Sequence, residues 1–284
     1  MVAFLVLVAV LSIVTIRAAI RNARHIIACH RSNFGRYLSA HETGDILLIT
    51  AHPDDECMFF SPTIVAIRKS LCSRRRLHLL CLTSGNADGL GKTRRGELEK
   101  AARVLGIASV HIHDDHDRLP DSMTRRWSID DASRIIKSCL GRHKDIGTVV
   151  TFDAFGVSGH PNHCDASLAV RKALGETPEA YELFELVTVP LALKYMGMAG
   201  IVYEAVGLVI DSTLHHFDRL AEDLTASGPE HYVALIDWRE ALATGFGAMQ
   251  CHASQLVWFR YLYLLFSGYM HLNVLAHRKT IAKG

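Results

Sequence analysis

Ala51-His-Pro-Asp-Asp-Glu56 directly follows the apolar run 45–50, and the predicted fold is built outward from this motif. That run, Asp-Ile-Leu-Leu-Ile-Thr, predicts a buried strand. One histidine and three carboxylates so close together would be costly in a core without a cation, because of desolvation and mutual repulsion. At the end of a strand, the same groups supply metal ligands and a proton acceptor. We therefore expect half of a metal site at this point.

A second polar cluster, Gly159-His-Pro-Asn-His163, follows another strand-like run at 147–152. The chain around both clusters alternates between strand and helix patterns. Strands are predicted at 45–50, 77–83, 109–113, 147–152 and 181–189, and helices at 58–71, 93–105, 129–140 and 162–174. This alternation predicts an α/β fold, a Rossmann-like parallel sheet with helices on both faces. The pattern predicts no strand after residue 189, and residues 211–250 are expected to form helices.

Both clusters are expected at the carboxyl edge of this sheet, where open α/β folds bind ligands. His52, Asp55 and His163 are the predicted metal ligands, since two imidazoles and one carboxylate are typical of a hydrolytic zinc site. Asp54 is the predicted acceptor of a proton from the attacking water, and His160 is predicted to steady the oxyanion. Either Asp54 or His160 then returns a proton to the leaving amine.

Three further residues are candidates for substrate binding or support. Arg94 begins the helix after the glycine-rich loop 85–91 and is a candidate contact for an anionic substrate, with a solvated position as the alternative. Asp117, in the loop after the third strand, is a candidate for binding sugar hydroxyls. Asp153 is predicted either to orient a metal-binding histidine or to be a simple turn residue. The glycine-rich loop lacks a dinucleotide or P-loop motif, so a mobile rim loop is expected.

The N-terminal residues 1–20 are almost entirely apolar, and basic residues follow them. A helix of about 20 residues spans roughly 30 Å, the thickness of the hydrocarbon layer. The positive-inside rule then predicts a single-pass transmembrane anchor with the rest of the chain in the cytosol. A cleaved signal peptide is the alternative, but its basic first segment is missing.

The remainder of the chain divides into a short connection and one large domain. Residues 21–44 are expected to be a polar linker or a juxtamembrane helix, and residues 45–284 the catalytic domain. Apolar segments near 190–210 and 255–276 are expected to contact either the membrane or the domain itself.

The overall composition argues against two classes of protein. The formal net charge is +2 at pH 7, so no general electrostatic attraction to nucleic acid is expected. The 7 cysteines form no C-x-x-C pair, and their odd number favours reduced thiols in a cytosolic domain over a disulfide framework.

The two polar clusters resemble the motifs of the PIG-L (LmbE-like) de-N-acetylases, which are AHPDDE and a later HPNH-type element. The resemblance spans about residues 45–275 and is greatest to the eukaryotic branch. It implies a metal-dependent hydrolase that deacetylates GlcNAc-phosphatidylinositol in the second step of GPI-anchor biosynthesis, on the cytosolic side of the endoplasmic reticulum membrane. One divalent ion is expected, with Zn²⁺ favoured and Mn²⁺, Fe²⁺ or Mg²⁺ as alternatives. The expected partner is the lipid substrate, and no protein partner is indicated.

The resemblance also assigns roles to single residues. It implies that His52, Asp55 and His163 bind the metal. Asp54 would be the general base, and His160 would stabilise the transition state. The family's helix signature, an Arg followed three residues later by a Glu, matches Arg94 and Glu97. Phe155 departs from the family pattern, in which Gly is usual, and is expected to affect loop shape more than chemistry. Two alternatives stay open, namely a deacetylase of a soluble GlcNAc conjugate and a membrane subunit that has lost its chemistry.

Overall fold

The structure is a computed structural model that describes residues 33–41, 44–70, 75–195 and 231–279. A seven-stranded sheet lies at the centre of this part of the chain. The strand order is β3-β2-β1-β4-β5-β7-β6, and the first five strands run parallel. The strands are β1 (Asp45–Thr50), β2 (Leu77–Cys81), β3 (Ser109–Ile112), β4 (Ile146–Phe152), β5 (Glu182–Leu186), β6 (His231–Leu235) and β7 (Leu272–Lys279).

The strand order reverses between β1 and β4, which lie side by side at the centre of the sheet. Every residue of β1 is buried, because the strand has neighbours on both edges and helices around it. Since βαβ connections are right-handed, the reversal puts the later crossover helices on the opposite face from the earlier ones. The predicted α/β fold is therefore confirmed, and its crevice opens where the two polar clusters begin.

The sheet differs from the prediction at one end, where it is mixed rather than parallel. β7 pairs antiparallel with both β5 and β6. The expected helical region 211–250 thus contains a strand, and part of the apolar segment 255–276 is an inner strand, with Leu275 fully buried. Both strands were missed because an apolar run of five to eight residues reads alike as strand, helix or membrane contact until its neighbours are known.

Helices surround the sheet and carry its crossovers. They are α1 (Asn33–Ala40), α2 (Asp55–Met58), α3 (Ser61–Ser70), α4 (Gly91–Leu105), α5 (Ile129–Arg142), α6 (Gly156–Gly159), α7 (Pro161–Gly175), α8 (Leu191–Lys194), α9 (Trp238–Ala241), α10 (Gly247–Met249) and α11 (Trp258–Phe266). The single helix predicted at 58–71 is two helices, since Pro62 has no N–H and fits only the first turn of α3.

Helix α1 belongs to the domain, although it lies within the predicted linker or juxtamembrane helix 21–44. Phe34 is fully buried and its ring lies 4.9 Å from that of Phe184 in β5, measured between centroids. The predicted anchor at 1–20, and residues 196–210 of the predicted apolar segment, lie outside the described residues. Among the helices that are described, none combines the length and the apolar character needed to cross a bilayer.

Candidate active site

The candidate active site lies at the reversal of strand order, where the loops after β1 and β4 meet. His52 and Asp55 follow β1, and His160 and His163 follow β4. These side chains open into a pocket of about 740 Å³. Its lining combines charged, imidazole and aromatic groups: His52, Asp54, Asp55, Met58, Phe59, Ala87, Asp88, Arg94, Asp121, Ser158, His160, His163, Lys194, Tyr195, Gln255, Phe259, Arg260, Leu262, Tyr263 and Phe266.

One ring nitrogen of His52 points toward one ring nitrogen of His163, and these two atoms, Nδ1 of His52 and Nε2 of His163, lie 3.3 Å apart. Nδ1 of His163 donates to the carbonyl oxygen of Gly156 at 3.0 Å. Nε2 of His52 donates to Oδ1 of Asn162, also at 3.0 Å. That oxygen accepts the N–H of Ser122 as well, at 3.1 Å, which fixes the orientation of the amide. In neutral rings, the two facing nitrogens therefore both carry lone pairs.

Asp55 supplies a third acceptor to the same point. Its Oδ2 accepts the N–H groups of Ala51 and His52, at 3.0 and 2.8 Å, and its Oδ1 lies 3.2 Å from Nε2 of His163. Burial raises the pKa of Asp55, but the charge and hydrogen bond of protonated His163 outweigh burial, so the pKa of Asp55 lies well below its ordinary value. Burial lowers the pKa of His163, but the charge of Asp55 outweighs it and the pKa is raised, so a cation at this point would take the place of the proton on Nε2. The backbone of the motif after β1 thus holds a carboxylate that is ready to bind a cation.

These three acceptors fit a divalent metal ion. Nδ1 of His52, Nε2 of His163 and the Asp55 carboxylate lie 3.2 to 3.8 Å apart, and two lone-pair nitrogens this close repel unless a proton or a cation lies between them. The second nitrogen of each ring already has an acceptor, as in metal sites whose outer contacts orient the ligands. The predicted residues therefore do converge.

The three histidines also form a possible metal-binding group, since His52, His160 and His163 each offer a ligand atom within 4.8 Å of the others. Nδ1 of His160, however, accepts the N–H of Asn162 at 3.1 Å, so the neutral ring carries its proton on Nε2. Burial, and then the charges of the other two imidazoles, lower the pKa of His160 to about 4. His160 is thus suited to donate a hydrogen bond, and Asp55 is the better third ligand.

Another buried cluster of possible ligands has a different explanation. Glu56, Cys57 and His252 lie together, but Oε1 of Glu56 accepts from Nε2 of His252 at 2.7 Å. The other Glu56 oxygen accepts the N–H of Asp54 at 3.0 Å. Both oxygens of Glu56 and the thiol of Cys57 thus have protein partners, and only Nδ1 of His252 has none among the described residues, which leaves a single free donor atom and no set of ligands for a cation. Its role is to hold the loop after β1 against the C-terminal part of the chain.

Asp54 occupies a strained position in the pocket wall. Its φ of 106° lies in the region that favours glycine, and such outliers are typical of functional sites. Oδ2 lies 3.3 Å from Nη2 of Arg260, and Oδ1 lies 3.8 Å from Nη2 of Arg94. Burial raises the pKa of Asp54, and the charges of the two arginines oppose that rise.

Arg94 lies in the wall of the pocket and not on a solvated face. Nη2 donates to the carbonyl oxygen of Pro53 at 2.7 Å, and Nη1 donates to the carbonyl oxygen of Gly85 at 3.0 Å and to the Oδ2 carboxylate oxygen of Asp121 at 3.3 Å. Gly85 must be glycine here, because a Cβ would come within 2.5 Å of the guanidinium and φ is +69°. Arg94 thus ties the loop after β1 to its neighbours, which leaves its guanidinium largely occupied.

The two other candidate residues, Asp117 and Asp153, lie away from the predicted contacts. Asp117 is exposed and does not line the pocket, whereas Asp121 in the same loop does. Asp153 contacts neither metal-binding histidine. Its carboxylate instead accepts the N–H of Gly156 at 3.0 Å and that of Thr188 at 2.7 Å, and so shapes the loop whose Gly156 carbonyl orients His163. Its influence on the imidazole is therefore indirect.

Several residues of the site were missed by the sequence analysis. Asn162 lies inside the second motif, yet its role as an acceptor depends on a side chain 110 residues away. Asp121 also faces Nε2 of His52, at 3.3 Å, and nothing in its local sequence separates it from Asp117. Lys194 was visible only as a lone charge in an apolar run. Its burial in the pocket wall is a tertiary feature.

Helix α11 presents an apolar face beside the pocket mouth. Only Tyr263 and Leu264 are buried, so one side of the helix packs against the domain. Six large apolar side chains remain exposed, by 45 to 74%: Trp258, Phe259, Tyr261, Leu262, Leu265 and Phe266. Leu191 and Tyr195 in and after α8 are also exposed, by 73 and 46%. The predicted contact with the domain thus holds for one side of the helix, and the predicted contact with a membrane stays a prediction for the exposed side.

Comparisons with known proteins agree with this geometry. The profile of the family described as "PIG-L: GlcNAc-PI de-N-acetylase" matches residues 47–174. An N-acetylglucosaminyl-phosphatidylinositol de-N-acetylase of Bos taurus is 38% identical over 233 residues, which cover 81% of each chain. A probable enzyme of that name from Schizosaccharomyces pombe is 36% identical over 234 residues, covering 81% of this chain and 85% of the relative.

A bacterial relative is more distant. The 1D-myo-inositol 2-acetamido-2-deoxy-alpha-D-glucopyranoside deacetylase of Mycolicibacterium smegmatis is 27% identical over 249 residues, covering 77% of this chain and 82% of the relative. The first motif and the second both fall inside the family match, with the converging acceptors on either side of the strand-order reversal. On these grounds, the chain belongs to the PIG-L family of de-N-acetylases.

Proposed function

We propose that this protein hydrolyses the acetamido group of GlcNAc-phosphatidylinositol, which releases acetate and leaves GlcN-phosphatidylinositol in the second step of GPI-anchor biosynthesis. The observation that carries the proposal is the convergence of His52, Asp55 and His163 beside a strained carboxylate, in a chain of this family. The similarity to relatives named for the same lipid substrate supports the choice of substrate.

The metal is proposed to be held by Nδ1 of His52, Nε2 of His163 and the Asp55 carboxylate. Zn²⁺ is the ion that this nitrogen and oxygen donor set suits best, with Mn²⁺, Fe²⁺ or Mg²⁺ as alternatives. When bound, such an ion polarises the amide carbonyl and makes water a nucleophile near neutral pH. The protein's part is to keep both imidazoles in the right tautomer, through the Gly156 carbonyl and the Asn162 amide.

Asp54 is proposed to take the proton of the attacking water. Its carboxylate lines the pocket beside Asp55, and its backbone N–H is held by Glu56. The guanidinium of Arg260, 3.3 Å from Oδ2, stabilises the charge of the base. A positioned base of this kind contributes about 10²- to 10⁴-fold to the rate.

His160 is proposed to stabilise the oxyanion that forms as water adds to the amide. Because Nδ1 accepts the N–H of Asn162, the free Nε2–H is the group that donates to the substrate oxygen. As the C–N bond breaks, the amine needs a proton, which either Asp54 or His160 can return. The residues' own part in the chemistry is thus a base and a hydrogen-bond donor at fixed positions beside the metal ligands.

The membrane is proposed to hold both enzyme and substrate. Residues 1–20 would anchor the chain in the endoplasmic reticulum membrane as a single span, with the domain on the cytosolic side. The exposed apolar face of α11 would then rest on the bilayer at the pocket mouth, with Trp258 and Tyr261 at the depth of the headgroups. Tethering raises the local concentration of a lipid substrate that stays in the same bilayer.

The test is acetate release from GlcNAc-phosphatidylinositol by the purified full-length chain, before and after removal of metal with a chelator. We expect activity to disappear with the metal and to return on adding Zn²⁺ at stoichiometric amounts. Activity that survives complete metal removal would contradict the proposed site. Absence of acetate release under every metal condition would favour the alternative of a subunit without chemistry.

A soluble GlcNAc conjugate is the second candidate substrate, because the bacterial relative is named for such a compound. Detergent-solubilised enzyme separates the two when its rates on GlcNAc-phosphatidylinositol and on GlcNAc-inositol are compared. A clear preference for the lipid-linked substrate is expected. Equal rates would count against the lipid.

A further inference from the structure

Lys194 is a buried cation in the pocket wall that has no acidic partner among the described residues. Its side chain is 4% exposed, and it lines the same pocket as the candidate metal ligands. Nζ lies 5.5 to 5.9 Å from the ring centroids of four aromatic residues, Phe59, Tyr195, Tyr263 and Tyr269. Cation–π contacts offset only part of the cost of burying an ammonium group, so the position remains short of a counter-charge.

A second cation shares this part of the pocket. Arg260 lines the pocket, is 25% exposed at its side chain and donates toward Asp54 at 3.3 Å. Burial, and then the charge of Arg260, lower the pKa of Lys194. Asp54 faces Arg260, but no carboxylate of the described residues comes within 4.0 Å of Nζ of Lys194.

One aromatic ring, that of Phe59, lies beside both this cation and the candidate reacting centre. The Phe59 ring contacts both groups, since its centroid lies 5.7 Å from Nζ of Lys194 and 5.6 Å from the ring centroid of His163. In GlcNAc-phosphatidylinositol, the inositol ring separates the acetylated sugar from the phosphate. An acetamido group at the candidate metal site would therefore bring a phosphate toward Lys194.

We propose that Lys194, assisted by Arg260, forms an anion subsite that binds the phosphodiester of the substrate. This inference rests on the proposed deacetylase function and adds to it the group by which the site distinguishes phosphorylated from phosphate-free substrates. A lysine ammonium is a strong, compact donor to phosphate oxygens, and burial strengthens the interaction. The aromatic rings around it exclude water and hold the stem of the side chain.

The experiment compares two soluble substrates that differ only in the phosphodiester: GlcNAc-inositol and its methyl phosphodiester. With Lys194→Met, we expect kcat/KM for the phosphodiester to fall at least about tenfold more than that for GlcNAc-inositol, since one charged hydrogen bond to phosphate is lost. Lys194→Arg is expected to restore most of the preference. Lys144→Met, at an exposed position in the turn before β4, is the matched control and is expected to change neither value.

Each other outcome has a distinct meaning. Equal losses on both substrates, or no loss on either, would overturn the subsite. A wild-type enzyme that hydrolyses GlcNAc-inositol without preferring the phosphodiester would also overturn it, while leaving the deacetylase function in place. A wild-type enzyme that hydrolyses neither of these substrates nor GlcNAc-phosphatidylinositol would instead count against the proposed function; if it hydrolyses the lipid alone, the inhibition comparison given next decides.

Two further measurements cover the remaining possibilities. If Lys194 binds bilayer headgroups instead, Lys194→Met will weaken binding to phosphatidylserine-containing vesicles without changing the soluble kinetics, and the subsite is overturned. If the variant does not fold, inhibition of the wild-type enzyme decides. We expect glycerophosphoinositol to inhibit at least about tenfold better than myo-inositol, and equal inhibition would overturn the proposal.

Discussion

Asp54 combines a proposed chemical role with a strained backbone, and substitutions can separate the two. Asp54→Asn keeps the size of the side chain and tolerates a positive φ, but it cannot accept the proton. We expect kcat to fall about 10²- to 10⁴-fold, which corresponds to about 3 to 5 kcal/mol in the activation barrier. Asp54→Gly and Asp54→Ala are expected to lose as much activity, since both lack the carboxylate.

The glycine and alanine variants should nevertheless differ in stability. At φ 106° a residue with a Cβ is strained by about 1 to 2 kcal/mol relative to glycine. Asp54→Gly should therefore unfold about 2 to 8 °C above Asp54→Ala, because 1 kcal/mol shifts Tm by about 2 to 4 °C in a chain of this size. Neither variant makes the ion pair with Arg260, so that loss cancels in the comparison.

The measurements are acetate release under metal-saturated conditions and thermal unfolding of the three variants beside the wild type. Metal content must be equal, so that a lost ion does not pass for a lost base. Any Asp54 variant that keeps more than about a tenth of wild-type kcat would refute the role of general base. Equal Tm values for the glycine and alanine variants would refute the strained conformation, whatever the kinetics.

Two more predictions concern groups that support the site or the sheet. Asn162→Ala and Asp121→Ala should each weaken metal binding only slightly, since one acceptor still faces Nε2 of His52 in either variant. The double variant should lose about 10- to 100-fold in metal affinity. A metal titration in which the double variant loses only the sum of the two single effects would contradict this. Burial raises the pKa of Asp45, but its hydrogen bonds with His78 and Arg76 lower it more, so the folded pKa lies below the ordinary value of 3.8. The stability that this carboxylate contributes is therefore present above pH 3.8 and is lost as the pH falls through the folded pKa. Asp45→Asn should thus be less stable than wild type at neutral pH, with the gap closing below about pH 4, and a gap independent of pH in urea unfolding would contradict it.

The agreement between sequence and structure is greatest where the information is local. The run 45–50 followed by acids predicts β1 and the loop after it, because strand pattern and motif are adjacent in the chain. The helix predicted at 93–105 ends at Leu105 as expected, and Gly106 caps it with a φ of 70°. The two clusters could be assigned to one edge because parallel strands bring their carboxyl ends together.

Contacts between distant segments could not be read from either segment alone. β6 and β7 became strands only by pairing beside β5, and the choice between membrane, core and sheet for an apolar run depends on what lies next to it. Asp121 rather than Asp117 reaches His52, because the path of a loop is decided by packing and not by composition.

By itself, then, the sequence determined the α/β class, the chemistry of the two motifs and the five side chains proposed to act on the substrate. The tertiary structure decided which nitrogen of each imidazole faces the metal position, through acceptors such as Gly156 and Asn162, and it buried Lys194 among aromatic rings. The physical reason is that ligand identity is a property of residue type, whereas tautomer, strain and the cost of an unpaired charge arise only when remote groups are packed together.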